Sequence, residues 1–169
     1  AADCTTPKLA QQKRVVYGER HEHELAYEFL QPKKTNGLGV VVMVSGGWRS
    51  SPDDFKPMMG KAFLRRGYSI FAVSHLSQPK ATIPEIYDDV TRAVEHIREH
   101  AGEYGVDPGQ LGVVGASAGG HLSLMVATRG KETTGKPDGL VRAVAIFFPV
   151  TDVLNPGNPA KEEEDGGPS

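Results

Sequence analysis

Short, unbroken apolar runs separated by longer helical stretches constrain this chain more than any other feature. Val40-Val41-Val42-Met43-Val44, Tyr68 to Val73, Leu111 to Val114 and Ala143 to Phe148 do not alternate with polar residues, as expected of strands buried on both faces. Such strands need helices above and below them. The runs therefore predict an α/β fold, a doubly wound and mostly parallel sheet with right-handed crossovers. Ahead of them, Val15 to Tyr17 and then Leu25, Tyr27 and Phe29 do alternate with polar residues. They predict an antiparallel N-terminal hairpin of two half-buried strands joined by the polar stretch Gly18 to Glu24.

Three helices fill the gaps between the runs. The first has Ser51 as N-cap, Pro52 at the first helical position, Asp53 and Asp54 in the first turn and Gly67 just past its end, with Phe55, Met58, Met59, Ala62 and Phe63 expected to face inward. The second opens on the capping box Thr82-Ile83-Pro84-Glu85. Along it Ile83, Ile86, Val90, Val94, Ile97 and Ala101 form one apolar stripe, while Asp88, Arg92, Glu95 and Arg98 are expected to face water. The third is predicted over Ala118 to Arg129, ended by Gly130.

Composition excludes several function classes. With 169 residues, 38% apolar and 24% charged, the chain suits one globular domain. Its net charge of -2 and lack of a basic stripe interleaved with aromatics argue against a nucleic-acid partner. Cys4 is the single cysteine, so no internal disulfide forms, and no Cys/His spacing suits a metal; no metal and no cofactor is expected. The apolar runs are too short for a membrane span. Ala1-Ala2-Asp3 reads either as the mature end of an exported protein or as a trimmed piece of a cytoplasmic one. Oligomeric state has no signature.

Chemistry enters with Gly115-Ala116-Ser117-Ala118-Gly119. A bare G-x-S-x-G is weak, but here it lies directly between a buried strand and a helix, the setting of a nucleophile elbow. Ser117 would project from the carboxyl edge of the sheet as the catalytic nucleophile. The helix N-terminus beginning at Ala118 would favour an oxyanion. A tight connection in a nucleotide-binding sheet is the plainer reading, but neither G-x-G-x-x-G nor a P-loop Lys-Ser/Thr pair is present. At the end of the Val44 run, Ser45-Gly46-Gly47-Trp48 stands where a hydrolase completes its oxyanion hole, which makes Gly46, Gly47 and Trp48 further candidate donors. The alternative there is a plain Gly-Gly turn with a packed tryptophan.

These segments, together with Ser74-His75-Leu76-Ser77-Gln78-Pro79, Asp107-Pro108, the extension Gly120-His121-Leu122 and Phe148-Pro149-Val150-Thr151-Asp152, resemble bacterial α/β-hydrolases of the carboxylesterase type. That group is related to hormone-sensitive-lipase and prolyl-oligopeptidase-like esterases. The resemblance runs from about Val15 to Asn155 and implies an ester hydrolase with a small-molecule ester substrate, acting through an acyl-enzyme on Ser117. It differs in one place: relatives often begin the first loop with His, where this chain has Ser45. The resemblance also implies a C-terminally truncated hydrolase, a partial domain over 15–154; the polar, aperiodic residues 1–14 read as a flexible leader and the Gly/Pro-rich acidic stretch 155–169 as a disordered or cap-loop tail.

The base of the catalytic triad is the missing part. In this fold the order along the chain is Ser, then Asp or Glu, then a late His. The only histidine after Ser117 is His121, about one turn along the same helix and too local to take the Ser117 proton. Packing or a supporting hydrogen bond is expected of it. His96 and His100 lie on a helix remote from the strand ends, and His21 and His23 in the hairpin. His75 ends a strand and is a candidate for a supporting or substrate-contacting role. Asp152 also follows a strand at the catalytic edge, as a loop cap, a substrate contact or an acid. Base and acid are therefore expected beyond this chain, and the chain alone is expected to be inactive. The rival readings are a serine peptidase of prolyl-oligopeptidase type and a non-catalytic hydrolase-like binding protein.

Overall fold

The structure, a computed structural model, describes residues 8–134 and 139–153. It contains strands β1 (Leu9–Arg20), β2 (His23–Pro32), β3 (Gly39–Met43), β4 (Ser69–Val73), β5 (Leu111–Ala116) and β6 (Ala143–Phe147) and helices α1 (Lys61–Arg65), α2 (Ile83–Glu99) and α3 (Ala118–Thr134). The strands form one sheet in the order β1-β2-β4-β3-β5-β6. β1 and β2 pair antiparallel, β2 pairs antiparallel with β4, and β4, β3, β5 and β6 run parallel. The expected doubly wound, mostly parallel sheet with an antiparallel N-terminal hairpin is the observed one.

Helices α2 and α3 cover one face of the sheet. There Phe29, Val41, Phe71 and Val113 pack with Ile86, Val90, Val94, Ile97 and Leu122, all buried. On the other face a smaller core gathers Leu30, Ile70 and Ala72 against Phe55 and Leu64. The parallel strands place their carboxyl ends at one edge, and the β3, β4 and β5 exits carry Ser45, His75 and Ser117 there.

Local departures from the expected boundaries have physical causes. The hairpin is longer and its turn tighter than the alternation suggests. β1 begins at Leu9, so residues 9–14 of the expected leader are strand, and the turn is only His21-Glu22, both left-handed at φ 50° and 62°, the geometry a two-residue hairpin demands. The single helix expected after Ser51 is broken. Ser51 does cap it, accepting from the Asp53 N–H, but only one 3₁₀ turn forms over Pro52–Asp54 before irregular turns lead to α1. Pro57 lacks the N–H a continuous helix needs, and Met58 and Met59, expected inside, are exposed. Helix α3 continues past Gly130 instead of stopping there. Residues 1–7 of the expected leader and the expected 155–169 tail lie outside the described residues.

Candidate active site

β5 passes into α3 through Ser117, whose φ of 53° lies in the left-handed region, where a residue with a Cβ is held only by its surroundings. Those surroundings are visible. The Ser117 N–H donates to the Phe147 carbonyl at the end of β6 (3.1 Å), and the Ser117 carbonyl accepts from the N–H groups of His121 (3.0 Å) and Val150 (3.3 Å). The flanking glycines answer a steric demand. A Cβ on Gly115 would stand 2.2 Å from the Gly119 carbonyl oxygen, and one on Gly119 would stand 2.5 Å from the Met43 carbonyl oxygen. Strand and helix thus cross too closely for any side chain at either position. Ser117 is half-buried, and its hydroxyl has no hydrogen-bond partner among the described residues.

The second loop is a two-residue turn. Gly46 and Arg49 exchange backbone bonds, Gly46 N–H to Arg49 carbonyl at 2.9 Å and the reverse at 3.0 Å, across Gly47 and Trp48 at φ 55° and 62°. Two left-handed residues in succession make a type I′ turn. Trp48 is an unusual occupant, held by its edge-on contact with the His121 ring (5.4 Å between centroids, 79°) and by the Gln78 N–H donating to its carbonyl at 3.0 Å. The turn is moored to α3 by the Gly119 N–H, which donates to the Ser45 carbonyl at 3.2 Å.

This geometry narrows the expected donors. The Gly46 N–H, expected in the oxyanion set, is engaged by Arg49 within the turn and so leaves the set. The N–H groups of Gly47, Trp48 and Ala118 have no acceptor among the described residues. Ala118 is the first residue of α3, where helix geometry leaves N–H groups unpaired and the helix dipole is positive.

Among the described residues no histidine hydrogen-bonds the serine hydroxyl. Nδ1 of His121 donates to the Val150 carbonyl at 2.6 Å, so the ring braces the segment after β6 against the Trp48 turn. His75 is buried, with Nδ1 on the Leu76 carbonyl (2.9 Å) and Nε2 on the Ser45 hydroxyl (2.8 Å), and burial pushes its pKa down. His96 and His100 stack on each other at the end of α2 (4.2 Å). His21 meets the Glu85 carboxylate, and His23 accepts from the Lys80 ammonium. Asp152 is exposed beyond β6. Among the described residues, no cluster of three or more His, Cys, Asp or Glu is disposed to hold a metal. A cleft of about 520 Å³ opens beside the loops on the α1 side of the sheet, lined by Val44, Gly46, Phe55, Met59, Ala116 and Phe147.

Sequence reasoning overlooked two features. Asp89 is fully buried, accepting from Arg20 Nε (2.6 Å) and Nη2 (3.0 Å) and from Arg92 Nη2 (3.2 Å). A carboxylate three residues after Ile86, on the apolar stripe itself, was the available signal. The serine pair Ser50 and Ser77 joins the loops after β3 and β4, with the Ser50 N–H donating to the Ser77 hydroxyl at 2.9 Å. Nothing local in the sequence announces that contact.

Comparison with known proteins agrees with this architecture. A hyperthermophilic esterase from the archaeon Pyrobaculum calidifontis superposes with a TM-score of 0.73 over 85% of this chain and 47% of that one, at 18% identity. The carboxylesterase EstE1 from a metagenomic library does so with a TM-score of 0.70 over 88% of this chain and 50% of its own, at 23% identity. With the sheet order and the strained serine turn, the fold is that of the α/β-hydrolases. Within that class the BD-FAE family model matches residues 28–167, and the chain belongs to this family. Esterase LipQ of Mycobacterium tuberculosis is 28% identical over 88% of this chain, which spans only 38% of LipQ's own length.

Proposed function

We propose that this chain carries the nucleophile and oxyanion half of a serine hydrolase that cleaves carboxylic esters. The observation that supports it most is Ser117, held at φ 53° between β5 and α3 with its hydroxyl unpaired. Ser117 Oγ attacks the ester carbonyl carbon while its proton passes to a general base. The N–H groups of Gly47 or Trp48 and of Ala118 take the negative charge that develops on the carbonyl oxygen. Collapse of the tetrahedral intermediate breaks the bond to the alcohol oxygen, which leaves with the proton held by the base. Water then attacks the acyl-enzyme by the same route, releasing the acid and restoring Ser117. Base and carboxylate are assigned to sequence beyond this chain, because no described imidazole bonds the Ser117 hydroxyl and LipQ extends well past the matched length.

A fluorophosphonate probe applied to the full-length protein is expected to label Ser117, with labelling abolished in Ser117→Ala. A folded, full-length protein that takes no label refutes the nucleophile and leaves a ligand-binding relative as the reading. Turnover of prolyl peptide amides in preference to short aryl esters would move the assignment to a peptidase.

A further inference from the structure

His75 and Ser45 leave different strands, β4 and β3, yet meet behind the turn that presents Gly47 and Trp48. The Leu76 carbonyl can only accept, so His75 Nδ1 carries a proton. Burial keeps the ring neutral, which makes Nε2 an acceptor for the Ser45 hydroxyl at 2.8 Å. Ser45 is then gripped twice, by His75 through its side chain and by the Gly119 N–H through its carbonyl. The other flank of the turn ends on the same loop. The His75 N–H donates to Ser50 Oγ at 3.2 Å, that hydroxyl donates to the Val44 carbonyl, and Ser77 Oγ donates to the Ser50 carbonyl at 3.2 Å.

We infer that His75 is a positioning residue that, through its Nε2 bond to Ser45, holds the Gly47–Trp48 turn in register with Ser117 and the start of α3. The inference rests on the ester-hydrolase reading above. His75 does not touch the reacting atoms. Its effect is on where the turn's N–H groups stand when the oxyanion forms, and small misplacements of such groups are costly to rate.

The test uses the full-length protein with Ser45→Ala, His75→Leu, His75→Gln and the double variant Ser45→Ala/His75→Leu. Ser45→Ala and His75→Leu are each expected to lower kcat on an aryl ester about 10–100-fold with KM within about twofold. The double variant should be no slower than His75→Leu alone, because both changes remove one link. Gln, whose side-chain amide oxygen is an acceptor for the Ser45 hydroxyl, should restore part of the loss. Additive losses, or a loss in KM alone, overturn the inference. Nitrogen-15 NMR of the imidazoles gives a readout independent of turnover: His75 should appear as the Nδ1–H tautomer, with its Nε2 resonance shifted in Ser45→Ala. An Nε2–H tautomer, or no shift in Ser45→Ala, defeats the inference even in an active enzyme. Failure of the Ser117 labelling would instead defeat the ester-hydrolase reading and leave the NMR result standing.

Discussion

At the scale of single residues, the proposed chemistry depends on positions that admit no side chain. Gly119→Ala would bring a methyl to 2.5 Å from the Met43 carbonyl oxygen, and Gly115→Ala one to 2.2 Å from Gly119's. Both neighbours are backbone, so the strand or the helix must move. Each substitution is expected to cost about 3 kcal/mol in urea unfolding, the upper part of the range for overpacking, and to abolish fluorophosphonate labelling of Ser117. Unchanged labelling in both variants would show that the turn tolerates what its geometry forbids. This steric requirement was legible in the sequence, because G-x-S-x-G between a buried strand and a helix is a local pattern. The turn proposed to hold the oxyanion was only partly so. Ser45-Gly46-Gly47-Trp48 located it, but which N–H stays unpaired depends on the turn type, and Trp48 at φ 62° is a residue no propensity rule would place there. The link from His75 to Ser45 required two strand ends to be side by side, which no local pattern records.

Elements differ in how much of them is written locally. The start of helix α2 was legible, because the Thr82 hydroxyl accepts from the Glu85 N–H and the Glu85 carboxylate accepts from the Thr82 N–H and hydroxyl. Those bonds, the backbone one first, hold the Glu85 carboxyl down to about 2. A carboxyl depressed on folding stabilises above its unfolded value, about 4.3, and loses that stabilisation as pH falls toward its folded value. Glu85→Gln should therefore be less stable than the parent near neutrality, and the gap should close between about pH 5 and pH 2 in thermal melts. A gap that is constant with pH would remove the charged cap from the account. The same helix hides Asp89 on its buried face, tied to Arg20 at the hairpin's end. Asp89→Ala leaves two guanidinium groups without their shared acceptor. Since both reach water in part, the expected cost is about 3 kcal/mol, the low end for breaking a buried pair. By contrast, the stretch after Ser51 misled, since good capping signals and an apolar period were overruled by Pro57 in the middle of the run.

For the whole molecule, the number and direction of the parallel strands followed from their unbroken apolar runs, whereas the order β1-β2-β4-β3-β5-β6 did not, since order depends on the face each crossover takes. That order leaves β6 paired with β5 alone among the described residues. Its surroundings are apolar: Val144, Phe147 and Phe148 are 42%, 55% and 77% exposed, and a hollow of about 330 Å³ lies over β3, β5 and β6 beside α1, on the face that helix covers only in part, lined by Val40, Phe63, Val114 and Val144. An apolar strand edge and a sheet face that the described residues leave open are a template for association. The 169-residue polypeptide by itself is therefore expected to bind a hydrophobic dye and to associate with rising concentration in sedimentation. Val144→Lys with Phe147→Lys should suppress that association without altering the far-ultraviolet dichroism. Under the ester-hydrolase reading the same polypeptide should turn over aryl esters at least about 10⁴-fold more slowly than the full-length protein, since an oxyanion hole without a base retains only a small part of the rate. Monomeric behaviour at high concentration would mean that these 169 residues cover their own sheet, and turnover near that of the full-length protein would mean that they supply the base.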